Sequence, residues 1–208
     1  MRYGIDHKEQ TRARVLSAAA RSVLAEGPHR IGVADVMRKA GLTHGGFYAH
    51  FSGRDELVVA AIELLFDEAF ANLQRLTRER APADALAAYI DWYLSTGHRD
   101  AREAGCPLAA LSADVPRLDP AARRRYTRGA GRLTSALAML LSAIGRRDAD
   151  ALAKSAFAEM IGALVLARGA DSADSDAILE SSRTALRVRL GLDGTPATAS
   201  RPRRPTKK

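Results

Sequence analysis

From about Lys8 to Ala25 the apolar positions Val15, Leu16, Ala19, Ala20, Val23 and Leu24 recur at helical spacing, and "EGP" ends the run. Val33, Val36, Met37 and Ala40 then fall at i, i+3, i+4 and i+7, one face of a short helix. Gly32 occupies its N-cap position, and Gly41 supplies the left-handed backbone that closes a helix. Leu42 returns to the core, and Thr43 caps a second short helix that turns Phe47 and Phe51 inward. Two short helices joined by a tight glycine turn make a helix-turn-helix.

A new N-terminus follows at "SGRDEL", with Ser52 or Gly53 as cap and Asp55 and Glu56 in the first turn, where carboxylates suit the helix dipole. Leu57, Ala61, Ile62, Leu65, Phe66, Ala69, Phe70, Leu73 and Leu76 keep the period to about Arg80. At 1.5 Å per residue this predicts a rod of roughly 35–40 Å. Pro82 opens the next helix, with Leu86, Tyr89, Ile90, Tyr93 and Leu94 on one face and Trp92 about 120° off it. "TGHRDAREAG" reads as a loop, Cys106-Pro107 starts a short helix, and "DVPRLDP" interrupts the chain again. Helices are predicted over roughly 120–145, 148–168 and 174–190. The second of these is unusually apolar. Its Leu152, Ala156, Phe157, Met160, Ile161, Leu164 and Val165, with Ile178, Leu179, Ala185 and Leu186 of the third, are expected to form an intersubunit four-helix bundle.

The resulting fold class is all-α: an N-terminal three-helix helix-turn-helix domain (1–52), then a helical regulatory and dimerisation domain (53–192). The Pro-, Thr- and Arg-rich stretch 193–208 cannot bury a face and is expected to be disordered. Five per cent aromatic residues and the lack of Val/Ile/Thr runs agree with a strand-free chain. The longest apolar segment, "AFAEMIGALVLA", is too short for a membrane span, and the opening has no apolar run of a signal peptide. A single cysteine excludes an internal disulfide, and together these features predict a cytoplasmic protein. The net charge of +8 is unevenly placed. Residues 57–193 are balanced, and the excess lies in the first 56 residues and in the last 15, a distribution that suits a polyanionic partner.

Adjacent glycines in "GLTHGGFYAHF" cost helix stability, roughly 1 kcal/mol each relative to alanine. A recognition helix pressed into a phosphate-lined groove needs small side chains where backbone meets backbone, which gives Gly45 and Gly46 a purpose. The stretch "VADVMRKAGLTHGGFYAHFSGRDEL" resembles the TetR/AcrR family of bacterial transcriptional regulators. Ala40-Gly41, Thr43, Gly45, Phe47-Tyr48, Phe51, Arg54 and Asp55-Glu56-Leu57 each fill their place in the family pattern.

The resemblance implies a homodimer in which a long helix links the DNA-binding domain to a ligand-binding domain. It implies that Thr43, Tyr48, His50 and Arg54 contact phosphates of a double-stranded DNA operator and that His44, Gly45 and Gly46 lie at base edges. Gly46 stands where many members carry a small polar or methyl-bearing residue, His44 often corresponds to Lys, and Arg54 replaces the usual Lys. A two-fold dimer would set its recognition helices about 34–36 Å apart on a palindromic site. The expected function is a ligand-responsive repressor; the alternative is a DNA-binding activator or architectural protein without a small-molecule sensor.

Phe66, Phe70, Tyr89, Trp92, Tyr93, Cys106 and Met139 are candidates for lining a pocket for an unidentified effector, although aromatic stripes at helical spacing are commonly core. Trp92, off the stripe, is the best of them. Cys106, at a helix start and four residues from Arg102, reads either as a sensing thiol or as a small buried residue, and the second reading is favoured. No cofactor, metal or catalytic signature is expected: His44 and His50 are six apart, "RGAGRL" lacks a third glycine and a preceding strand, and no GxSxG occurs.

Overall fold

A computed structural model describes residues 2–193. The basic stretch expected to be disordered lies, apart from Asp193, outside the described residues. Among those described there are nine α-helices and no strand. The helices are α1 (Arg2–Glu26), α2 (Val33–Lys39), α3 (Arg54–Thr77), α4 (Pro82–Tyr93), α5 (Thr96–Asp100), α6 (Pro107–Leu111), α7 (Pro120–Ala143), α8 (Ala149–Gly169) and α9 (Ser172–Leu190). A 3-10 helix, His44–Ala49, stands where the second short helix was expected.

Most boundaries follow local chemistry. Pro82, Pro107 and Pro120 open α4, α6 and α7, where a missing N–H costs nothing. Asp119 caps α7 through Ala121 and Ala122, and Asp171 caps α9 through Asp174. Gly41 and Gly191 end their helices with φ of +70° and +73°.

Two expectations are corrected. "TGHRDAREAG" is not a loop: it holds α5 and a 3-10 turn, Arg102–Ala104. The Ser95 hydroxyl accepts the His98 N–H at 3.1 Å and starts the turn, and the buried His98 ring anchors it. Six of the residues expected at an intersubunit bundle are also placed elsewhere. Ala156, Phe157, Met160, Leu164, Leu179 and Leu186 are buried within this chain, because α8 packs on α7 and α9. An apolar helix that serves one core cannot offer the same face to a second.

The long helix α3 is the spine. α1 and α7 both pack along it, and α4 joins at its far side. Its cap is reversed: Gly53 holds the N-cap position, while the N–H and hydroxyl of Ser52 both donate to a Glu56 carboxylate oxygen at 2.7 Å. One continuous apolar cluster runs from Val15 in α1 to Leu190 in α9. The N-terminal unit is therefore not an isolated bead: α1 also touches α6 and the Arg102–Ala104 turn.

Candidate nucleic-acid interface

The turn between α2 and the 3-10 helix is fixed from behind. The Gly41 N–H donates to the Arg38 carbonyl at 3.0 Å and the Leu42 N–H to the Met37 carbonyl at 2.9 Å, which satisfies the end of α2. Arg14 of α1 donates to the Ala40 carbonyl at 2.6 Å. Lys39 binds the Ser22 hydroxyl at 2.9 Å, Glu26 at 2.7 Å and Asp35 at 2.8 Å, tying α2 to α1.

Phe47 and Phe51 anchor the 3-10 helix. Both are buried and stack at 5.7 Å, and the Arg12 guanidinium lies 4.8 Å from the Phe51 ring centre. The Phe47 carbonyl accepts from the N–H groups of both His50 and Phe51. What faces outward is small or amphipathic. Thr43, His44, Gly45 and Gly46 are exposed, and Tyr48 is 68% exposed while its ring edges onto Phe47. A Cβ added to Gly45 would meet nothing within 4 Å, and one added to Gly46 only the tip of Met37 at 3.7 Å. The structure therefore leaves open space around both glycines. Thr43 stands at the N-cap position, but its side chain makes no capping bond and remains available.

Two sequence candidates are more constrained. Arg54 donates to the Ile31 carbonyl at 2.9 Å, the Pro28 carbonyl at 2.6 Å and Asp55 at 3.2 Å, so three of its five N–H groups are already engaged. It joins the start of α3 to the segment between α1 and α2 and has only an outer edge left for an anion. His50 is half-buried, and its Nδ1 is buried with no hydrogen-bond partner among the described residues. Burial first, and then the charges of Lys8 and Arg12, hold its pKa below 6.5. Lys8 and Arg12 thus lie near His50 at one corner, a basic group the sequence reading did not single out. Their i, i+4 spacing on one exposed face of α1 was the available signal.

The pocket candidates separate. Tyr89 and Tyr93 are fully buried against Phe157, and Phe66 is buried against Tyr126. Phe70 lies beneath the Arg132 guanidinium at 4.5 Å. Met139 is 66% exposed on α7. Trp92 and Cys106 alone among the seven line a cleft of about 360 Å³ between α1, α3 and the segment 103–106. The Cys106 thiol is buried, and burial raises its pKa above 9.0. That is the inert environment rather than the activated one.

Among the described residues no helix is long and apolar enough to cross a membrane, and no cluster of three potential metal ligands occurs.

Comparison with known proteins agrees with this geometry. Residues 15–72 match the bacterial regulatory proteins of the tetR family, and residues 82–180 match the C-terminal domain of LmrA/YxaF-like transcriptional regulators. The transcriptional regulator TtgR of Pseudomonas putida is 33% identical over 81 residues, 39% of this chain and 38% of its own length. The regulator YfiR of Bacillus subtilis is 27% identical over 103 residues, 50% of each chain. The chain therefore spans half or less of the length of these curated relatives. Among solved structures, a TetR regulator from Chloroflexus aurantiacus superposes with a TM-score of 0.78 at 23% identity, covering 89% of this chain and 96% of that one. The reduced form of NemR from Escherichia coli gives 0.75 at 23% identity, covering 86% and 96%. The two curated relatives and the Chloroflexus aurantiacus protein are transcriptional regulators. With the helix-turn-helix in place, the all-helical body behind it and both parts matched, the chain belongs to the TetR family of bacterial regulatory proteins.

Proposed function

We propose that this regulator is a ligand-responsive repressor that binds a palindromic operator as a homodimer. The observation that carries the reading is a pair of unpartnered surfaces. One is the small outward face of Gly45, Gly46 and Tyr48. The other is an apolar stripe on the back of α8 and α9.

On α8 the stripe holds Ala158, Gly162, Val165, Leu166 and Gly169, at helical spacing opposite the buried face. On α9 it continues through Ala185 and Val188. Leu166 and Val188 are 64% and 65% exposed. Small residues flanked by Val and Leu allow two helix pairs to approach closely, and a two-fold axis through this face closes a four-helix bundle. The phosphate contacts fall to Thr43, Tyr48, His50, Lys8, Arg12 and the free edge of Arg54, and the base edges to His44, Gly45 and Gly46. A mycobacterial relative, 30% identical over 40% of this chain, is a transcriptional repressor, which supports the sign of regulation.

Selection of bound fragments from genomic DNA, read beside sedimentation of the protein and of Leu166→Glu, tests the reading. The expected outcome is inverted-repeat sites bound by a dimer, with the variant monomeric and at least about tenfold weaker on the full site. A monomeric native protein, or fragments without two-fold symmetry, would refute it.

A further inference from the structure

Packed along each other, α1 and α3 both contribute to one cleft. From α1 come Ser17, Ala20, Arg21 and Leu24, and from α3 come Leu65, Glu68, Ala69 and Asn72. Each set follows i, i+3, i+4, i+7, so one face of each helix lines a space of about 360 Å³. Trp92, Cys106 and the backbone of 103–105 make the third wall. The cleft thus touches the helix that carries the DNA-reading unit, the spine of the body and the segment between α5 and α6.

Its chemistry is specific. Ala20, Leu24, Leu65, Ala69 and the half-buried Trp92 give it apolar walls. That indole is held from its other surroundings by a stack on His98, centroids 4.4 Å apart. The Asn72 Nδ2 is buried and unpartnered among the described residues, while its Oδ1 accepts from Arg75 at 2.6 Å. One donor therefore waits for an acceptor.

Of the lining side chains, Glu68 and Glu103, neither in an ion pair or hydrogen bond among the described residues, are acidic and Arg21 is basic, while Arg75, bonded to Asn72, and Arg168, beside Gly105, stand behind the wall. Arg21 in turn donates to the Ser17 hydroxyl at 2.8 Å. In a chain of net charge +8 the side chains that line the cleft thus carry one more acid than base. The Glu68 side chain is largely solvent-exposed, yet the nearby walls desolvate its carboxyl enough to raise its pKa, with Arg21 opposing. A carboxylate in that position gains from a cation that displaces water.

We infer that this cleft is a binding site for a small aromatic amine, with its ring on Trp92, an acceptor toward Asn72 and its ammonium between Glu68 and Glu103. This rests on the regulator reading for its consequence but not for its chemistry. An occupant that fits only when α1 and α3 are splayed favours one orientation of the DNA-reading unit, and operator binding then changes amine affinity by the same factor.

Calorimetry with a matched series tests it on the full-length protein: 1-naphthylmethylamine, 1-naphthylmethanol and 1-naphthaleneacetate share one ring system and differ in charge. The amine is expected to bind one per chain and about tenfold or more tighter than the other two. Glu68→Gln, on an exposed side chain with no partner to lose, should remove about tenfold of the amine's affinity and leave that of the alcohol unchanged, with thermal unfolding unaltered. Trp92→Leu should weaken all three. Equal affinities across the series, no heat from the amine, or an amine affinity indifferent to Glu68→Gln each overturns the assignment. Operator binding without amine is measured separately by gel shift. Intact DNA binding with no amine binding rejects the site and leaves the regulator, whereas amine binding without DNA binding does the reverse.

Discussion

Gly129 of α7 lies directly against the ring of Phe66 on α3. A Cβ built on it would overlap the ring, at only 2.6 Å from Cδ2, the farthest of its three nearest atoms. This contact sets how closely α7 approaches the spine. Gly129→Ala is expected to destabilise the protein by about 1–3 kcal/mol, since neither helix can yield without disturbing a packed core. Two residues on, Gly131 is exposed with nothing within 4 Å of a Cβ, so Gly131→Ala should stabilise by roughly 0.5–1 kcal/mol. Denaturant midpoints of the two variants should move in opposite directions. A shared sign would mean that the Phe66 contact does not determine the spacing.

The glycines of the 3-10 helix pose the opposite case. Neither Gly45 nor Gly46 has positive φ, and neither has a close neighbour. Gly45→Ala and Gly46→Ala should leave thermal stability unchanged or slightly raised. Operator affinity should nevertheless fall about tenfold or more, because the added methyl meets DNA rather than protein. Gel-shift titration beside thermal unfolding separates the two effects. A loss of stability that tracks the loss of binding would assign the glycines to folding instead.

Much of this was legible in the sequence, and the exceptions have physical reasons. Long helices announce themselves by period: the apolar series from Leu57 to Leu76 is the buried face of α3. α5 does not, because five residues show no period and its anchor, His98, is a polar residue buried by hydrogen bonds. The apolar content of α8 was plain, but period alone does not say whether α7 or a second subunit covers Phe157 and Met160. Likewise the Cys106-Pro107 helix start was correct, yet a helix only five residues long beneath Trp92 and Tyr93 leaves the thiol desolvated rather than activated.

If His50 contacts a phosphate, as proposed, it should link DNA binding to pH. In the free protein, burial and the charges of Lys8 and Arg12 keep its pKa below 6.5. A phosphate seated at that corner would screen those cations and favour the imidazolium, so the pKa rises in the complex. Binding then takes up a proton, and affinity should increase as pH falls from the bound-state pKa towards the lower free-state one. His50→Gln should flatten that dependence, measured by fluorescence anisotropy at constant ionic strength. Lys8→Gln should reduce the salt slope by about one for sites of every sequence. A pH profile unchanged by His50→Gln would remove the residue from the phosphate contacts.

His98 and Cys106 make a second pH-dependent pair, this time for stability. The Cys106 N–H donates to His98 Nε2 at 3.1 Å, so the ring proton sits on Nδ1 and is given to the Tyr93 carbonyl at 2.8 Å. Protonating Nε2 would set two donors face to face. Burial chiefly, with the Arg168 charge acting the same way and the Tyr93 carbonyl acting against, holds the pKa of His98 below 6.5. As pH drops through 6.5 the unfolded chain takes up a proton that the native state refuses, so stability falls until the native pKa is reached. His50 contributes with the same sign, so the urea midpoint should drop between pH 7.5 and 5.5. In a His50→Gln background, His98→Asn should lower the midpoint at both values and remove most of the remaining slope. The same hydrogen bonds shut Cys106 in beneath His98 and Tyr93. Native protein should therefore react with iodoacetamide far more slowly than urea-unfolded protein, and His98→Asn should speed the native reaction by loosening that lid.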